Sequence, residues 1–153
     1  MLLTPCVLIK ARKTKKSTMI RTYSEMSRFE TFEDRYEYLK LSGSVGKATF
    51  GFDRYINQQF YRSSEWKSVR NHVIARDLGL DLGADGYEIY DRILIHHMNP
   101  MVPDDIEHGD SDILDPEFLI STSHRTHNAI HFGDRSLLVK PLVQRNRDDT
   151  KLW

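Results

Sequence analysis

Hydrophobic and polar positions recur along this chain with periods that name its elements. Thr31 followed by Asp34 has the form of a helix start, and Phe32, Tyr36 and Leu39 follow at i, i+4 and i+7. Gly43 is expected to close that helix. A second helix is expected within residues 50–60, with Phe52, Tyr55 and Phe60 turned toward a core rather than toward nucleic-acid bases. Ser63 or Ser64 caps a third, Glu65 suits its first turn, and Trp66, Val69, Val73 and Ile74 form a buried stripe. Gly79, Gly83 and Gly86 then mark a turn-rich connector. They do not open a helix after a strand, so this is no phosphate loop. Residues 87–95 read as a strand that ends in His96 and His97, and a helix carries His127 and His131.

Composition narrows the class without deciding the function. The 153 residues are 39% apolar and 29% charged, which suits one domain with a modest core and polar tails. The single Cys6 excludes a disulfide framework and a cysteine metal cluster, and a reducing cytoplasm is the expected location. No apolar run approaches the roughly 18 residues of a membrane span. Residues 1–9 precede their charges instead of following them, a poor signal peptide. The net charge is zero, which by itself argues against a nucleic-acid partner. Its distribution argues the other way. Lys10, Arg12, Lys13, Lys15 and Lys16 have no acid nearby, residues 54–76 hold five basic side chains against Glu65, and Arg135, Lys140, Arg145 and Arg147 follow the last helix. Each run is either a solvated segment or a contact to phosphate backbone. Met19 is an alternative start to Met1.

The chemistry concentrates in residues 93–131, which hold six of the seven histidines. Two imidazoles at a strand end point to opposite sides, because side chains alternate. His127 and His131, four apart, share one helix face, a spacing that holds divalent metals. His96 supplies a third nitrogen and leaves a fourth position open, the layout of a catalytic rather than a structural site. His97 is then free to act as a base beside the metal. His124 competes as a ligand, being three residues before His127. His72 reads as a surface or half-buried helix position and His108 as exposed. The insert with Asp104, Asp105, Glu107, Asp110, Asp112, Asp115 and Glu117 reads as a solvated loop, because Gly109 is wrongly placed for an EF-hand.

A paired histidine at a strand end, a loop, a Leu-Ile strand and His127-Asn128-x-x-His131 on a helix resemble the HNH endonucleases, whose ββα-metal fold includes the colicin nucleases. The resemblance covers roughly residues 66–133; over residues 21–133 the chain looks like HNH proteins of tailed bacteriophages. It implies an α+β fold in which helices precede the ββα-metal motif. The expected division is a basic tail over 1–22, a helical segment over 23–60, the HNH domain over 61–135 and a basic tail over 136–153. It also implies one divalent ion (Mg²⁺, Mn²⁺, Ni²⁺ or Zn²⁺) on His96, His127 and His131, with His97 as general base. The partner implied is DNA, met through Lys67, Arg70, Arg76 and Arg125, and in the phage-like proteins the place is beside the genome-packaging terminase. The chain departs from the pattern twice. Phe118 stands where the family has the Asn that orients the base, with Asn99 or Asn128 as substitutes. The CxxC pairs of a zinc ribbon would map near Asp81 to Ala84 and onto Ser123 and Thr126, so no cysteine ribbon is expected. The activity implied is DNA hydrolysis; the alternative is a catalytically weak DNA-binding or packaging accessory.

Overall fold

The computed structural model describes residues 19–41, 54–84 and 86–138. Its helices are α1 (Tyr23–Met26), α2 (Phe32–Leu39), α3 (Arg54–Arg62), α4 (Ser64–Arg76), α5 (Pro103–Glu107) and α6 (His124–Phe132). Two strands, β1 (Leu94–His97) and β2 (Leu119–Thr122), pair antiparallel, with His96 opposite Ile120 and His97 opposite Leu119. The fold is therefore α+β, with helices preceding a small sheet.

Local chemistry explains most boundaries. Thr31 caps α2 by accepting from the Asp34 amide at 3.2 Å, and its hydroxyl donates to the Asp34 carboxylate at 2.7 Å. The helix ends at Leu39, where Lys40 turns to an extended ψ of 140°, four residues before Gly43. Ser63, not Ser64, caps α4, accepting from the Trp66 amide. Trp66 and Val73 are buried on the expected stripe, with Val69 and Phe60 packed beside them. The side chain of Tyr55 and all of Gly43, Phe52 and residues 1–18 and 139–153 lie outside the described residues.

Two expectations give way here. The strand predicted over 87–95 shrinks to β1: Tyr87 and Tyr90 are 74% and 89% exposed and pack into no core. An isolated bridge, Leu80 to Glu88, is all the pairing that stretch makes among the described residues. The acidic insert is not simply a solvated loop. It folds into α5 and two 3-10 turns, Ser111–Leu114 and Pro116–Phe118, capped by the carboxylates of Asp110 and Asp115. Its apolar Ile113 is buried, and Glu117 accepts from the Ser24 amide. His108 is exposed, as expected.

The N-terminal helices do not stand apart from the rest. Met26, Tyr36, Tyr38 and Leu39 share one buried cluster with Met98, Ile120, Ala129 and Ile130. The Tyr36 hydroxyl donates to the Ala129 carbonyl, and the Leu41 amide donates to that of Ile130 at 2.9 Å. Gly133 ends α6 in the left-handed region at φ 65°, and a Cβ there would lie 2.5 Å from the Leu41 carbonyl oxygen. Glycine is needed there on both counts.

A second brace comes from the connector after α4. Asp77 accepts from the Arg76 guanidinium and from both the amide and hydroxyl of Ser121 on β2. Asp81 accepts from the Thr126 hydroxyl at 2.6 Å and the Ser123 amide at 3.1 Å. Asp81, Ser123 and Thr126 are positions onto which the resemblance maps zinc-ribbon cysteines. Here they meet through hydrogen bonds.

Candidate metal centre

β1 turns alternate residues inward, and His96 is the one that is fully buried. α6 begins behind its Ser123 cap and carries His127 and His131 one turn apart, with ring centroids 4.3 Å from each other. The His96 ring lies 5.3 Å from that of His127 and 5.0 Å from that of His131, nearly perpendicular to both. One nitrogen from each of the three falls within 4.8 Å of the others, close enough to bind one metal ion. The sequence pattern thus meets in space.

Two properties fit these residues to a cation. Both ring nitrogens of His96 are buried without a hydrogen-bond partner. A buried imidazole always has an N–H to satisfy, and leaving such a group unpaired costs about 1–3 kcal/mol. Packing supplies neither nitrogen with a partner; a metal ion would take the lone pair of one of them. The second property is protonation. Burial holds His96 well below the ordinary imidazole range, helped by His127, His131, His97 and the charge of Arg21. Burial, with repulsion from His131, brings His127 down to about 4, and burial also lowers His131. All three are neutral near pH 7, the form that donates to a metal.

His97 leaves the strand on the other side. Its ring stacks on Trp66, centroids 5.3 Å apart and planes 15° from parallel. Nε2 sits 3.0 Å from the Ile113 carbonyl oxygen. A carbonyl only accepts, so Nε2 carries the proton and the neutral ring keeps its lone pair on Nδ1. Burial lowers this imidazole to about 4, against the opposing pull of the Ile113 carbonyl and with a further push from His131. A hollow of about 160 Å³ reaches His97 and is lined also by Asn99, Met101, Asp110, Asp112 and Phe118.

The other expected site residues divide. His124 is exposed, its Nδ1 3.4 Å from the Asn128 amide, outside the three-histidine group. His72 is exposed too. Asn99 is held by the backbone of Arg21, accepting from its amide and donating to its carbonyl. Neither asparagine therefore orients His97; the Ile113 carbonyl does. Lys67 and Arg125 present exposed side chains, and Arg70 donates to the Ile93 carbonyl. Arg76 is no surface cation. It donates to the Pro116 and Leu119 carbonyls at 2.7 Å each, pairs with Asp77, and lies over the Tyr23 ring. Nine residues past Lys67 it is about half a turn round the helix, beside the buried stripe.

A larger hollow, about 780 Å³, lies among Phe32, Tyr36, Tyr87, Tyr90 and Arg125. None of the four clustered histidines lines it, so size does not mark the chemistry here. Sequence reading missed the Trp66 platform, the Ile113 carbonyl and the Asp77–Asp81 brace. Trp66 was legible only as core, and a backbone carbonyl has no residue signature. Two aspartates four apart in a glycine loop were the one available sign. No helix among the described residues is long and apolar enough to cross a membrane. Comparison with protein-family models, curated proteins and solved structures finds no match to this chain.

Proposed function

We propose that this chain is a metal-dependent DNA endonuclease of the HNH kind, hydrolysing phosphodiester bonds. One observation carries the reading: three neutral imidazoles converge, with both His96 nitrogens unpartnered, and a fourth imidazole, on the other side of the same strand, has its lone pair set by a backbone carbonyl. His96, His127 and His131 hold the ion. When bound, a divalent cation supplies Lewis-acid polarisation of the phosphate and neutralises charge at the leaving oxygen.

The chain's own residues do the rest. His97 takes a proton from water at Nδ1 while Nε2–H stays on the Ile113 carbonyl, and the hydroxide attacks phosphorus opposite the leaving oxygen. General-base help of this kind is worth roughly two to four powers of ten in rate. Trp66 and Ile113 fix the orientation of the ring. Lys67, Arg125 and, in part, Arg70 contact the backbone electrostatically and without base reading. Mg²⁺, Mn²⁺, Ni²⁺ and Zn²⁺ are the candidate ions.

A second reading, a DNA-binding or packaging accessory that keeps the metal and cuts feebly, has its own support. The hollow at His97 is rimmed by Asp105, Asp110 and Asp112, which repel phosphate, and by Phe118. Plasmid relaxation by the purified protein with each of the four ions separates the two. The endonuclease reading expects cutting with at least one of them, abolished by a chelator. No cutting with any, alongside retained metal and DNA binding, establishes the accessory.

A further inference from the structure

We infer that Asp81 is a positioning residue of the metal centre, holding the first turn of α6 and therefore the ligand His127 from the loop that follows α4. The inference rests on the metal reading above. Asp81 is 2% exposed. One carboxylate oxygen accepts from the Thr126 hydroxyl at 2.6 Å and the Ser123 amide at 3.1 Å; the other accepts from the Gly83 amide at 3.2 Å. Ser123 is the cap of α6, and Thr126 directly precedes His127. Charge-assisted bonds of this length are the strong ones, and a carboxylate at a helix start also meets the favourable end of its dipole.

The loop is seated on the helix as tightly as atoms allow. A Cβ added to Gly83 would lie 2.7 Å from the Thr126 methyl carbon and 3.2 Å from the Ile130 terminal methyl. The other half of α6 has a separate brace, the Leu41 amide on the Ile130 carbonyl and the close approach at Gly133. The His127 end and the His131 end are therefore held by different parts of the chain. Loosening Asp81 shifts His127 against His96 while the Ser123 hydroxyl still caps the helix. Residues behind metal ligands typically govern affinity by about 10–100-fold.

Cobalt(II) titration of the full chain, followed by visible absorption, tests this. Asparagine at 81 keeps the volume but turns one oxygen into an amide that cannot accept from Ser123 or Gly83. Asp81→Asn should bind Co²⁺ about tenfold more weakly or worse, with a shifted and weakened absorption band, at unchanged helix content. Gly83→Ala, which presses on the same turn without removing a polar group, should do likewise, and it decides the matter where Asp81→Asn fails to fold. Thr31→Ala, which removes the α2 cap without touching α6, should keep wild-type affinity and spectrum. Wild-type affinity and spectrum in both loop variants, or an equal loss in Thr31→Ala, overturn the inference alone. If the wild-type chain binds no Co²⁺, the metal reading fails and this one with it.

Discussion

His96 and His97 are neighbours on one short strand, yet the two sides of β1 treat them in opposite ways. On one side the His96 ring has no hydrogen-bond partner and meets the rings of His127 and His131 edge to face. On the other, the His97 ring is stacked on Trp66 and bonded to Ile113. The same residue type at consecutive positions is thus left without a hydrogen-bond partner in one place and held by a ring and a carbonyl in the other. Alternation along a strand is enough to give two neighbouring imidazoles different surroundings, provided the two faces are built from different parts of the chain. Here α6 builds one and α4 with the acidic insert builds the other.

The comparison is broken most severely from the α6 side. His127→Ala with His131→Ala removes two of three nitrogens, and divalent-metal affinity measured by calorimetry should fall at least about a thousandfold, since the helix supports the site only through those two rings. Equal binding in the double variant would place the ion elsewhere.

Acidification attacks both sides together. Burial lowers His97 and His127 to about 4 in the fold, against about 6.5 in an unfolded chain. Between those values the unfolded chain binds more protons, so the stability of metal-free protein is full above about pH 6.5 and declines as pH drops toward 4. Denaturant melts at pH 7.5 and pH 5 should show the loss; a flat profile would mean the rings are not buried neutral.

A smaller effect sharpens the His97 side. The Ile113 carbonyl already sets the ring, so Phe118→Asn should change cleavage per folded molecule less than about threefold, well under a general-base contribution. It should still lower stability by about 1–3 kcal/mol, as a half-buried aromatic gives way to an amide. A large gain in rate would show that His97 wanders. Smallest of all, Lys67→Ala should weaken DNA binding evenly across sequences and reduce the salt slope by about one, as for a single phosphate contact. Sequence-selective loss would mean Lys67 reads bases.

What the sequence made legible is what short-range periodicity encodes. The Thr31 cap, the Trp66–Val73 stripe, the alternation at His96-His97 and the four-residue step from His127 to His131 are all local, and the structure brings those histidines together. The reach of a contact across the chain is not encoded that way. Leu41 on Ile130 and Asp81 on Thr126 join residues far apart, so the bracing of α6 from both ends was invisible. Residues 87–95 read as one strand, but Tyr87 and Tyr90 are left exposed and the strand begins only at Leu94. Arg76 reads as part of a basic face with Lys67 and Arg70, opposite the Trp66 stripe, but it lies about half a turn from Lys67 and is held by Asp77. The resemblance points to an asparagine beside His97, while the fold sets that ring with a carbonyl that any residue at 113 would carry.

The division of labour between the two neighbouring histidines is tested most directly by making His96→Ala and His97→Ala side by side. Metal affinity and plasmid cleavage are then measured for each on folded protein. His97→Ala should keep metal affinity within about threefold and lose cleavage at least about a hundredfold, the lower end of general-base contributions. His96→Ala should lose both metal and cleavage. If His97→Ala cuts as fast as wild type, or if it loses metal as badly as His96→Ala, the two faces of β1 do not have the separate roles assigned to them.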